Sequence, residues 1–176
     1  MGTTDYMQQS MNFLHEAFRV AGDGLSDEQL HHSAEGESHS IAWVLWHVAR
    51  IEDLFVQRQF QGKPEEWVSG GWAAKTGLPE KGFGTGQPAD EAKALRVKDM
   101  NALREYAATV AKLTNEFLAS ADDSVLNREI KMGERTETIG QAITLHFITH
   151  MNGHRGEINQ LRGEMGFQPV LPGRGG

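Results

Sequence analysis

Ile139-Gly-Gln-Ala-Ile-Thr-Leu-His-Phe-Ile-Thr-His150-Met-Asn-Gly-His154-Arg-Gly-Glu157-Ile-Asn-Gln-Leu161 decides the reading of this chain. At about 100° of rotation per residue, Ile139, Ile143, Phe147, Ile158 and Leu161 share one helical stripe with His150 and His154. Those two imidazoles are one turn apart and belong to an apolar face, so they point toward a core rather than into water. The pattern follows 133–138 and predicts a helix continuing to about Met165.

Three other segments carry the same periodicity. The first helix is expected over residues 4 to 21, with Met7, Met11, Leu14, Phe18 and Ala21 on one stripe before Gly22-Asp23-Gly24. The second starts near Ser38 to Ser40, with serine as N-cap, and runs to about Phe60. The third opens at Pro88 to Asp90 and carries Leu103, Tyr106, Val110, Leu113 and Phe117. No segment alternates convincingly as a strand would, so the expected fold class is all-α.

The connection from Gln61 to Gln87 is rich in glycine and proline and holds Trp67 and Trp72. It cannot be helical throughout. In a four-helix bundle so long a crossover lets helices 2 and 3 lie parallel, and its tryptophans either staple it to the bundle or wall a pocket. The expected domain spans 1–167, and 168–176 reads as a flexible tail.

Composition narrows the function. The chain has 176 residues, 17 Lys+Arg against 24 Asp+Glu, and a net charge of −7 with His neutral. Its basic residues are not massed in a patch, which argues against a nucleic-acid partner. No run is long and apolar enough to span a membrane, and the N-terminus lacks a signal-peptide layout; a cytoplasmic protein acting on small molecules is expected. With no cysteine in the sequence, a metal must be held by His or carboxylates and a thiol must come from outside the chain.

Of eight histidines, His15, His31, His32 and His39 carry no pattern. His47 does, because Trp43, Ile51 and Leu54 accompany it on an inward row of the second helix. Three buried imidazoles would each need a partner, since an unsatisfied buried polar group costs about 1–3 kcal/mol. One divalent ion on His47, His150 and His154 would satisfy all three, and three protein ligands leave coordination positions open, as in catalytic sites. His146, one turn before His150, is expected to pack or to support the site from outside. Glu52 is a poor place for an unpaired carboxylate and is expected to pair with Arg155 or Arg50; Arg155 could instead steer an anionic substrate.

Two segments resemble the signature helices of the DinB/YfiT-like family of metalloenzymes: Ser40-Ile-Ala-Trp-Val-Leu-Trp-His47-Val-Ala-Arg-Ile-Glu52-Asp53 and His146-Phe-Ile-Thr-His150-Met-Asn-Gly-His154-Arg155-Gly156-Glu157-Ile158. Gly71-Trp72 and the Gly-Phe-Gly-Thr-Gly stretch at 82–86 also fit one subgroup. The resemblance implies an up-down-down-up four-helix bundle, often a homodimer, with zinc, nickel or a similar divalent metal on His47, His150 and His154. It also implies a small-molecule substrate and a low-molecular-weight thiol cosubstrate, because family members include thiol transferases and thiol-dependent isomerases. Where many relatives carry Gln, this chain has Glu157, which lies near the His150/His154 direction. Glu157 is thus a candidate catalytic base, a hydrogen-bond acceptor for an imidazole N–H, a fourth ligand, or a carboxylate at the bundle mouth paired with Arg. The expected activity is thiol or water activation for attack on an electrophile. A metal-dependent hydrolase and a non-catalytic metal- or ligand-binding stress-response bundle are the alternatives.

Overall fold

Helix-forming stripes dominate the chain, and its computed structural model, which describes residues 2–34 and 39–171, is mostly helical. The long helices are α1 (Thr3–Val20), α2 (Ile41–Asp53), α3 (Met100–Ser120) and α4 (His150–Glu164). Helix α3 packs on both α1 and α2, and α4 packs on α2 and α1, which closes a ring around one core. Met11, Leu14, Ile41, Leu103, Tyr106, Ile143, Phe147 and Ile158 are fully buried there; each large apolar side chain removed from water contributes about 1.5–3 kcal/mol.

Local chemistry sets the ends of these helices. Ser40 caps α2 by accepting from the Trp43 N–H, while Ser38 lies outside the described residues. Asp99 caps α3 by accepting from the Asn101 and Ala102 N–H groups. The expected start of the third helix at Pro88 is therefore a separate short helix, Ala89–Ala94. Between the two, Val97 N–H donates to His31 Nε2 at 3.0 Å and Lys98 N–H to the Thr76 carbonyl at 2.9 Å. Those tertiary bonds take the backbone groups a continuous helix would need. Heptad spacing also misplaces one core residue of α3, because Thr114 and not Leu113 is buried.

Two helices run through wide π-helical turns: Leu54–Phe60 continues α2, and Ile143–Thr149 leads into α4. The two turns face each other, with Phe55 and Phe60 rings 5.7 and 6.0 Å from Phe147. Such turns concentrate at functional sites, and this one delivers His150.

The expectation of no strand is corrected by a hairpin. Strands β1 (Glu129–Met132) and β2 (Arg135–Thr138) pair antiparallel, Glu129 opposite Thr138 and Met132 opposite Arg135. Gly133, at φ +65°, takes the first position of the two-residue turn, where a left-handed backbone matches strand twist.

In the long connection Trp67 and Trp72 are buried against Tyr106, with ring centroids 4.9 and 5.7 Å away. They are staples. The anchor beneath them is Asp53, fully buried, which accepts from the Glu66 N–H, the Trp67 N–H and the Tyr106 hydroxyl at 2.8, 2.8 and 2.9 Å. At the other end of the chain, residues from 168 on do not begin as a free tail. Val170 is buried, its N–H donates to Asn159 Oδ1, and Arg162 donates to the Gln168 carbonyl. The rest of the expected tail, 172–176, lies outside the described residues.

Candidate metal centre

The structure brings His47 from α2 together with His150 and His154 from α4. His150 Nε2 lies 3.3 Å from His47 Nε2 and 3.1 Å from His154 Nε2. One ligand atom from each ring lies within 4.8 Å of the other two, so the group could hold a metal ion. At metal–nitrogen bonds of about 2.0–2.1 Å in tetrahedral geometry, two imidazole nitrogens sit about 3.3 Å apart, so the spacing is right.

Hydrogen bonds fix which nitrogens face the centre. His47 Nδ1 bonds to the Phe83 carbonyl, and His154 Nδ1 bonds to Glu157 Oε2 at 2.9 Å. Both partners only accept, so each Nδ1 carries the proton and each Nε2 presents a lone pair. A neutral His150 has one Nε2 facing two such lone pairs and can donate to only one of them. A cation among the three nitrogens satisfies them all. Burial pushes the His47 pKa down to about 3 despite the Phe83 bond, with His154 and His150 adding to the effect. His150 is lowered as well, first by burial and then by the charge of His154.

The loop from Gly82 to Gln87 covers this cluster. Gly84 sits at φ +92°, and a Cβ there would lie 2.6 Å from Trp43 Cζ2 and 2.9 Å from His47 Nδ1. Only glycine lets the backbone come so close. Trp43 Nε1 donates to Gln87 Oε1 at 2.9 Å, and Arg50 bridges Glu65 at 2.8 Å to the Gly82 carbonyl at 3.2 Å. His39 stacks on Trp43 and Trp43 on His47, at 3.8 and 4.6 Å between centroids. These loop contacts escaped sequence reasoning, because they use backbone carbonyls; the alternating glycines at 82, 84 and 86 were their one trace.

Other expected residues fall elsewhere. Glu157 stands outside the metal-competent group and is the acceptor of the His154 Nδ1–H, a bond that also lowers its own pKa. His146 bonds to Glu137 at 2.9 Å and stacks on Phe55, which places it in packing. Glu52 pairs with neither Arg155 nor Arg50. Its partner is His15, at 2.8 Å from Nε2, while Arg50 takes Glu65 and Arg155 donates to Asn152.

The low His47 pKa predicts a pH dependence for the metal-free chain. Unfolded histidine titrates near 6.5, so between about 3 and 6.5 the unfolded state binds the extra proton and stability rises with pH. This contribution is complete above pH 6.5 and is lost as pH falls toward 3. Urea midpoints measured from pH 7 down to 4 should decline, and His47→Gln should flatten that slope.

No helix among the described residues is long and apolar enough to cross a membrane. A family model described as the DinB superfamily matches residues 12–158. The chain is also similar in structure to a conserved protein from Enterococcus faecalis, with a TM-score of 0.78 and 20% identity over 93% of this chain and 99% of that one. No curated protein matches it. With the family match running through both histidine-bearing helices, the chain belongs to the DinB superfamily.

Proposed function

We propose that this protein is a divalent-metal-dependent enzyme whose ion is held by His47, His150 and His154. The observation behind this reading is the pair of tautomer-locked imidazoles whose lone pairs meet at the third ring. Imidazole nitrogen suits zinc and nickel, and three protein ligands leave room for an exogenous molecule. When bound, such an ion supplies Lewis-acid activation of a low-molecular-weight thiol, or of water, at neutral pH. The protein's own part is positional. Phe83 and Glu157 hold the rings in the ligating tautomer, and the Gly82–Gln87 loop keeps one side of the cluster out of water. Glu157 is a positioning residue in this scheme, because its Oε2 accepts the His154 Nδ1–H. Thiol transfer to an electrophilic small molecule is favoured over hydrolysis by the family resemblance. The up-down-down-up order of a bundle over 1–167, a homodimeric assembly and a cytoplasmic location belong to the same reading.

The test is metal analysis of the purified full chain followed by a panel of electrophiles with low-molecular-weight thiols. The reading predicts about one equivalent of zinc or nickel per chain and metal-dependent consumption of thiol. Uptake without turnover of any electrophile, by thiol or water, would move the protein to a metal-binding role. Absence of uptake would refute the site. Glu157→Ala should weaken metal affinity by about 10–100-fold, the usual cost of losing the acceptor behind a ligating histidine, as measured by competition with a chromogenic chelator.

A further inference from the structure

A cavity of about 350 Å³ opens between α1, α2 and α3, and none of the three clustered histidines lines it. It lies on the other side of α2, where Leu45, Val48, Ala49 and Glu52 face away from His47. Ala107, Ala108 and Ala111 of α3 leave the space, and Met151 closes one end. The volume is at the small end of the roughly 300–1,000 Å³ range of small-molecule sites.

Its walls are mainly aliphatic, yet they hold a buried hydrogen-bonded pair, Glu52 and His15. Glu52 is 2% exposed and bonds to His15 Nε2 at 2.8 Å, while His15 Nδ1 is buried with no hydrogen-bond partner. Burial alone would lower the His15 pKa, but the charge and hydrogen bond of Glu52 outweigh it and the net shift is upward. A protonated His15 therefore has an Nδ1–H without an acceptor, which is costly in a buried place. The Asn115 side-chain amide also lines the cavity with its Oδ1 buried and unpartnered.

The charges left over have one sign. Glu16 is tied to Arg19 by two bonds of 2.7 Å, and Glu52 is tied to His15. Arg104 lines the same cavity, and its nearest ion-pair partner, Asp23, is 3.9 Å away. Arg104 and, when protonated, the His15 Nδ1–H thus border an apolar space, and both carboxylates that line it are already engaged. We propose that this cavity is a second ligand site, separate from the histidine cluster, for a small monocarboxylate with an apolar body. Its carboxylate is taken by His15 and Arg104, and its hydrocarbon part rests on Leu45, Val48, Ala107 and Ala111.

Phenylacetate titrated into the zinc-loaded full chain, with alanine and methionine methyls labelled with ¹³C, tests this. Saturable shifts of the Ala107, Ala111 and Met151 methyls at about millimolar phenylacetate are expected for a ligand of this size. Phenylacetamide should bind at least about tenfold more weakly, since it lacks the charge-assisted bonds. Arg104→Gln, a change at an exposed side chain, should weaken phenylacetate about tenfold and leave the amide unaffected. Ala111→Leu fills the cavity and should abolish the shifts with metal content unchanged; if that variant does not fold, Arg104→Gln decides. Shifts confined to labelled methyls outside this cavity, equal binding of acid and amide, or no saturable shift at all would overturn the proposal.

Discussion

Replacing His150 by alanine should abolish stoichiometric metal uptake while leaving the fold in place. His150 is the ring whose Nε2 sits within 3.3 Å of both other ligand nitrogens, so its loss leaves two imidazoles on different helices. The affinity loss should exceed about 100-fold, the upper end of what losing an outer partner costs. Folding should be spared, because His150 is only partly buried and its Nδ1 makes no hydrogen bond. The readout is thermal. A ligand at a hundred times its Kd stabilises the native state by about 2.7 kcal/mol, so zinc should raise the melting temperature of the parent chain and not of His150→Ala. An equal rise in both would show that the ion binds elsewhere.

Asp53→Ala should produce the largest loss of stability. The carboxylate is fully buried and accepts from the Glu66 N–H, the Trp67 N–H and the Tyr106 hydroxyl, with Arg50 3.6 Å away. Burial raises its pKa against the pull of those donors, and removing it strands those three donors and leaves the Arg50 guanidinium with Glu65 as its one carboxylate partner among the described residues. Breaking a buried charged arrangement from one side costs about 3–5 kcal/mol, which lowers the melting temperature by on the order of 10 °C for a chain of this length. The damage should spread to the histidine cluster. Arg50 also holds the Gly82 carbonyl, one residue from the Phe83 carbonyl that orients His47. Urea unfolding followed by tryptophan fluorescence checks the stability loss, and chelator competition checks the weaker metal binding.

The histidine cluster was legible because a histidine pair four residues apart leaves a periodic trace, and apolar neighbours on the same stripe show that it faces inward. That spacing survived an unforeseen feature. In a π-helical turn with more residues per turn, side chains four apart still lie close, so Ile143 and Phe147 stay buried although Ile143–Thr149 is not α-helical. The hairpin was illegible for the opposite reason. Its strands bury one large apolar residue, Ile130, and the rest of Glu129–Met132 and Arg135–Thr138 is partly or fully exposed, too little alternation to distinguish from a polar helix lead-in.

Glu52 illustrates a different limit. Helical projection places it correctly as a buried carboxylate needing a partner. It cannot say which element supplies that partner, and α1 does so with His15. The start of α3 was misplaced because Val97 gives its N–H to His31 across the fold, a bond between distant positions that no local window contains. Phe83 acts through its carbonyl, a group every residue has, so no side-chain motif announces it.

X-ray absorption at the zinc edge of the zinc-loaded full chain probes the ion's surroundings most directly. Three imidazole nitrogens at about 2.0–2.1 Å plus at least one light scatterer that exchanges with added thiol are predicted, the exchange appearing as a sulfur shell near 2.3 Å. A spectrum with fewer than three imidazoles, or with a coordination sphere that neither added thiol nor added azide changes, would contradict an open three-histidine centre.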